Sequence, residues 1–167
     1  TDYCYYSSFG YHDSCDCGKW ESGSTRILNP GVALYSVACE EGEGFVQRLW
    51  TEANAHFEEI RSMTVQPLVL YGAMSGFSRT FAPWTDVFSH GLYLAGAQVQ
   101  PDSAAPDGWT RWELPAMECL CTPQHPDAIA QMMAHLKTES LTLAAAIQER
   151  TEMADGVEML CFPIRLL

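Results

Sequence analysis

One pattern constrains the fold of this chain more than any other. A strand, a helix and two further strands are spelled out, and the same order is then spelled out again. Residues 32–39 are an apolar run bounded by Asn29-Pro30-Gly31 and Glu40-Glu41-Gly42, the punctuation of a buried strand. Phe45, Val46, Leu49, Trp50, Ala53, Phe57 and Ile60 then recur at spacings of three and four, with Glu52, Glu58, Glu59 and Arg61 between them. That period predicts an amphipathic helix over about 44–62. Two strand-like runs follow near 68–75 and 91–100, joined by a loop carrying Phe77, Phe81, Trp84 and Phe88.

The second half repeats the order. Trp109-Thr110-Arg111-Trp112-Glu113 leads into a strand at 115–121. His125-Pro126-Asp127 opens a helix, with Pro126 suited to the first helical position. Ile129, Met132, Met133 and Leu136 form its apolar stripe, and strands are predicted at about 141–149 and 156–166. Alternation along the first of these sets Leu141, Leu143, Ala145, Ile147 and Glu149 on one face. The expected fold class is α+β: a duplicated β-α-β-β unit forming a pseudo-two-fold antiparallel sheet, two helices packed on one face, and a central ligand groove. Residues 26–167 read as a single domain with halves 26–100 and 109–167, joined by the turn-rich segment 101–108. Residues 1–25, rich in Tyr, Ser, Gly, Asp and Cys, read as an N-terminal arm with an edge strand over 3–9.

Charge excludes one class of partner. The net charge is −12, and the nine basic residues are scattered. A phosphate backbone needs a basic footprint, so no direct nucleic-acid contact is expected from this chain. No apolar stretch approaches the ~18 residues needed to span a bilayer. The first residues lack the basic and apolar parts of a signal peptide, so no membrane partner and a cytoplasmic location are expected. Of seven cysteines, Cys39, Cys119, Cys121 and Cys161 sit in apolar runs, where Cys acts as a small hydrophobe. An odd count without a secretion signal does not indicate a disulfide framework.

Several short motifs, taken in order, resemble the GyrI-like small-molecule-binding family, the effector-binding domains of AraC- and MerR-type multidrug-sensing regulators and their stand-alone relatives. Tyr71-Gly72 resembles the family's apolar-Gly pair. Gly96-Ala97-Gln98-Val99 resembles its Gly-x-Glu-Val strand. Residues 109–116 resemble its Trp-initiated entry to the second half, and Phe162-Pro163-Ile164 its closing motif. The resemblance covers about residues 26–167. It implies a concave aromatic pocket between the halves that binds flat hydrophobic molecules, often cations, over a glutamate at the floor. The sequence departs from the pattern at that charge. Gln98 stands where the family has Glu, and the floor acid falls on Ala146 or on Glu149, depending on the register of the strand after the second helix.

Aromatic faces attract cations, and a pocket for a flat ligand needs such a lining. The ligand-binding residues expected are Tyr35, Tyr71, Phe77, Phe81, Trp84, Tyr93, Trp109, Trp112, Cys119 and Glu149, with the aromatic loop covering the groove. The function expected is binding of a flat hydrophobic or cationic aromatic molecule, as a transcription-regulator effector domain or a stand-alone drug-binding protein, with no cofactor. A homodimer is left open. The alternative is a small hydrolase acting on electrophilic molecules in the same pocket, with Glu149 or Glu118 orienting water and Tyr71 or Tyr93 assisting. No nucleophile elbow, His-Glu-x-x-His or phosphate loop is present. Cys4, His12, Cys15 and Cys17 have the ligand types of a zinc site, but lack a Cys-x-x-Cys pair.

Overall fold

The computed structural model describes residues 24–27, 31–35, 45–84 and 91–167, with the backbone alone described for 24–27, 31–35 and Phe45. The arm strand over 3–9 and the Cys4, His12, Cys15 and Cys17 set lie outside these residues, as does the body of the 36–44 segment.

The elements are β1 (Ser24–Ile27), β2 (Gly31–Tyr35), α1 (Phe45–His56), a 3-10 helix (Phe57–Met63), β3 (Val69–Ser75), β4 (Leu92–Val99), β5 (Trp109–Glu113), β6 (Met117–Pro123), α2 (Ala128–Thr138), β7 (Gln148–Glu152) and β8 (Val157–Leu166). The fold is α+β. Among the described residues, eight strands join one antiparallel sheet in the order β1-β6-β8-β7-β3-β4-β2-β5. The period in 44–62 therefore becomes two helical segments, since the turn tightens to 3-10 at Phe57. Trp109–Glu113 is a strand of its own, pairing with β2. β1, which the sequence pattern does not announce, straddles the expected arm boundary at 25/26 and pairs with β6.

Two expectations are corrected. Pro126 does not open α2. Asp127 takes the cap position and the helix starts at Ala128, whose N–H reaches the His125 carbonyl at 3.0 Å. The strand expected at 141–149 begins only at Gln148. Pro163 on β8 is the physical reason. It has no N–H to donate, so the β7–β8 ladder stops at the Gln148–Cys161 pair. The segment before it is held irregularly, with the Ala144 N–H on the Pro163 carbonyl at 2.8 Å and the Ala146 N–H on the Phe81 carbonyl at 2.6 Å. Ala145, Ala146, Ile147 and Gln148 are buried in succession, so the alternation predicted there does not exist.

The sheet is strongly curled, and covalent geometry demands it. β5 is one edge and β6 lies next to the other, six strands apart, yet only Leu114-Pro115-Ala116 join them. Six spacings of about 4.8 Å would need roughly 29 Å across a flat sheet. The link reaches about 14 Å at most. Curling brings Trp112 and Leu114 from one flank against Met117 and Cys119 from the other, over Tyr71, Leu94, Met159 and Cys161. This inner face is the largest apolar cluster. On the outer face, α1 packs on β4 and β2 through Leu49 and Ala53, which meet Tyr93 and Ala95. α2 packs on β6, with Ala128, Met132 and Leu136 against Leu120, Leu160 and Phe162. The central pair β7 and β3 lies between the strands that the helices cover.

Candidate functional site

That central pair carries the most perturbed polar chemistry on the outer face. Gly72 on β3 stands opposite Glu149 on β7 and opposite Ala95 on β4. Tyr93, two residues before Ala95 on β4, points to the same face. Its hydroxyl donates to Glu149 Oε2 at 2.6 Å and accepts from Trp50 Nε1 of α1 at 2.8 Å. A chain of hydrogen bonds thus runs from helix to central strand. It passes over Gly72, where any side chain would displace the network: a Cβ would run into the Tyr93 hydroxyl and lie 2.5 Å from Glu149 Oε2.

The electrostatics follow from burial. The Glu149 carboxyl is pushed up to about 7, chiefly by desolvation, while the Tyr93 hydrogen bond pulls it down and Glu158 pushes it further up. Tyr93 is held well above its ordinary value, first by burial and then by the Glu149 charge beside it. Glu158, on β8, is also raised by burial. No cationic side chain enters among the causes of the Glu149 shift, so burial disfavours the charged form of the carboxyl, and the residue as a whole is half-buried.

Gln148 fixes the geometry of this pair. The β3–β7 ladder runs from Val69–Glu152 to Gly72–Glu149 and goes no further. Beyond it the Gln148 side chain takes over the role of a backbone. Its Oε1 accepts from the Met74 N–H at 2.9 Å, and its Nε2 donates to the Met74 carbonyl at 2.8 Å and to the Ala146 carbonyl at 3.0 Å. The amide is fully buried.

The expected site residues fall on two faces of the sheet. Tyr93, Trp84 and Glu149 belong to the outer face, where Trp50, Phe57 and Met74 join Tyr93 and Trp84 in one cluster. Trp109 is also on that side, packed with Phe57 at a ring separation of 6.0 Å, in a cluster with Ile60 and Val99. Tyr71, Phe81, Trp112 and Cys119 belong to the inner face. There Phe81 meets Trp112 edge to face at 5.8 Å, and Arg150 Nε donates to the Tyr71 hydroxyl at 3.1 Å. Phe77 is 58% exposed and touches neither cluster. Tyr35 lies on β2 opposite Ala95 and Trp109, and its side chain is not described. Glu118 is tied to Arg165 across β6 and β8, away from the tyrosines.

The described part of the aromatic loop, residues 77–84, sends Phe81 inward and lays Trp84 across Gly91, with its Nε1 donating to the Leu92 carbonyl at 3.2 Å. Sequence reasoning missed Trp50, assigned to the core by its helical period, and Gln148. The signal for Trp50 was there: an indole N–H on a buried stripe needs an acceptor. A separate open hollow beside α1, lined by Gln47, Arg48, Thr51, Glu52, Ala55 and His56, has no aromatic wall. Among the described residues no three metal-ligating side chains converge, and no helix is long and apolar enough to cross a membrane.

No protein-family model matches the sequence, and no curated protein matches it significantly. Solved structures do match the fold. The C-terminal domain of EcmrR aligns at a TM-score of 0.64 and 8% identity, over 88% of this chain and 98% of that one. EcmrR in a DNA complex aligns at 0.57 and 10% identity over 88% of this chain, which spans only 58% of that protein's length. SAV2435, solved bound to tetraphenylphosphonium, aligns at 0.53 and 15% identity, over 87% of this chain and 94% of that one. At these identities the likeness is one of fold, and it agrees with the fold that the GyrI-like resemblance implies.

Proposed function

We propose that this chain, with its GyrI-like fold, is a small-molecule-binding domain that takes a flat hydrophobic cation on the outer face of the sheet, between the two helices. The observation that carries the reading is the Glu149–Tyr93–Trp50 chain: a carboxyl raised to about 7 by burial and tied through the Tyr93 hydroxyl to an aromatic cluster. Desolvating a carboxylate is costly unless an opposite charge arrives. A delocalised cation with aromatic faces would supply that charge and stack on Trp50 and Trp84. The tetraphenylphosphonium on SAV2435 is a hydrophobic cation with aromatic faces, although it is tetrahedral and not flat.

The strand order supports the finer architecture. Read outward from the β7–β3 pair, it gives β7-β8-β6-β1 on one side and β3-β4-β2-β5 on the other. We read this as two β-α-β-β units about a pseudo-two-fold axis, each lending one outer strand to the other, with residues 26–167 as one domain. The domain serves either as the sensing part of a transcription regulator or as a stand-alone binder, and a cytoplasmic location suits both.

Titration with tetraphenylphosphonium tests the reading. Tryptophan fluorescence should be quenched with roughly micromolar affinity, and Glu149→Gln should weaken binding about tenfold, or about 1.4 kcal/mol. No binding of this or any other aromatic cation up to about 1 mM, a free energy near −4 kcal/mol, would remove the proposal. A second reading, a hydrolase, is favoured by the same carboxyl, since a value near 7 hydrogen-bonded by a tyrosine suits a general base. Turnover of an electrophilic substrate that vanishes in Glu149→Gln would select it over binding alone.

A further inference from the structure

On the inner face, across the sheet from Glu149, two cysteines stand directly opposite each other on adjacent strands. Cys121 of β6 and Cys161 of β8 are register partners, and their Sγ atoms are 3.1 Å apart. Directly opposed antiparallel residues have Cα atoms about 4.5–5.5 Å apart, inside the range a disulfide accepts. A bond of about 2.05 Å would require the sulfurs to close by roughly 1 Å, within reach of side-chain rotation. We propose that Cys121 and Cys161 form a redox site, two thiols that close into a cross-strand disulfide when the protein meets a hydroperoxide and reopen with a dithiol reductant.

The surroundings assign each sulfur a role. Cys121 is partly accessible and is the one an oxidant reaches. Cys161 is buried, packed among Tyr71, Met159 and Cys119. Its contact with Cys121 and its burial both raise the thiol, while Arg150 pulls it down. Cys119 lies on the same face two residues from Cys121, but its register partner is Pro163. It is fully buried, and burial raises its thiol also.

The chemistry balances without any further component. The Cys121 thiol first releases its proton; the thiolate attacks one peroxide oxygen, the O–O bond breaks, Cys121 becomes a sulfenic acid, and the departing hydroxide or alkoxide takes up the released proton. The Cys161 sulfur then attacks the Cys121 sulfur, the S–OH bond breaks, and the leaving hydroxide takes the Cys161 proton as water. Two thiols and hydrogen peroxide give one disulfide and two waters. Because the thiolate is the attacking species, closure should run faster at pH 9 than at pH 7. The bond would tie β6 to β8 and constrain the unfolded chain, so the oxidised protein should have the higher Tm.

The test is a peptide map of the full chain, treated with hydrogen peroxide, alkylated, digested and analysed by mass spectrometry. The expected result is a Cys121–Cys161 linked peptide two hydrogens lighter than its reduced parts, and its loss on treatment with dithiothreitol. Cys119→Ser should keep the link. Cys121→Ser should abolish it and leave Cys161 alkylatable after unfolding. The wild-type map reads the pair directly, so the test stands even if a variant fails to fold. Cys121 halting at sulfinic acid, linking mainly to another cysteine, or leaving Cys161 reduced would overturn the proposal.

Discussion

At the scale of single residues, Glu149 contributes against stability over a defined pH window. Its folded value is about 7, above the usual carboxylate value of 4.5. Between those two values the folded state holds a proton that the unfolded state has released. This group's contribution is therefore most favourable below pH 4.5, falls as pH rises, and levels off above pH 7. Discounted for solvent screening around a half-buried residue, the cost at high pH is on the order of 2 kcal/mol. Glu149→Gln keeps an acceptor for the Tyr93 hydroxyl and removes the charge. Urea denaturation should show the variant more stable than wild type by about 1–2 kcal/mol at pH 8, and the gap should narrow at pH 5 and close below pH 4.5. An equal difference at both values would mean that Glu149 is not raised. Glycine matters here for space. At Gly72 the missing side chain is what lets the Tyr93–Glu149 hydrogen bond cross the sheet.

At the scale of elements, the two halves were unequally legible. The first helix was plain because Leu49, Trp50, Ala53 and Ile60 carry a strong period, and β3 and β4 are apolar runs close to their observed limits. β7 was misplaced because Leu141 to Ile147 is apolar and short-chained, which reads as a strand by composition. Its pairing is decided elsewhere, by Pro163 on a neighbouring strand. β1 and the separate β5 were missed because each is a short strand at an edge of the described sheet, and its partner there lies far away in sequence. The shift of β7 makes Gln148 the latch between β7 and the end of β3. Gln148→Ala would leave the Met74 N–H and carbonyl and the Ala146 carbonyl without this partner. A buried backbone group losing its partner costs about 1–3 kcal/mol. The variant should lose roughly 2–4 kcal/mol in urea unfolding. Hydrogen exchange should quicken at Met74 before it does in β6, and uniform exchange would show that the central pair is not held by this side chain.

At the scale of the whole molecule, the curl of the sheet decides which aromatics can share a ligand. A list read from sequence treats Trp109 and Trp112 as neighbours, but three residues along a strand place them on opposite faces. Trp112 faces inward with Tyr71 and Phe81, in a core that the β5–β6 link closes. Trp50 and Trp84 face outward beside Tyr93. A single flat molecule cannot touch both sets, because the sheet lies between them. The contact pattern therefore sorts the tryptophans by their response to ligand. Trp50→Phe removes the indole that donates to Tyr93, and should abolish most of the quenching by tetraphenylphosphonium and weaken binding several-fold. Trp112→Phe should lower stability by about 1–2 kcal/mol through lost packing, yet leave the fractional quenching and affinity of the folded protein unchanged. Trp109→Phe, at the margin of the outer cluster, should fall between them. If Trp112→Phe instead carries the loss of quenching, the ligand lies inside the curl, and Tyr71 with Arg150 becomes the polar floor of the site in place of Tyr93 with Glu149.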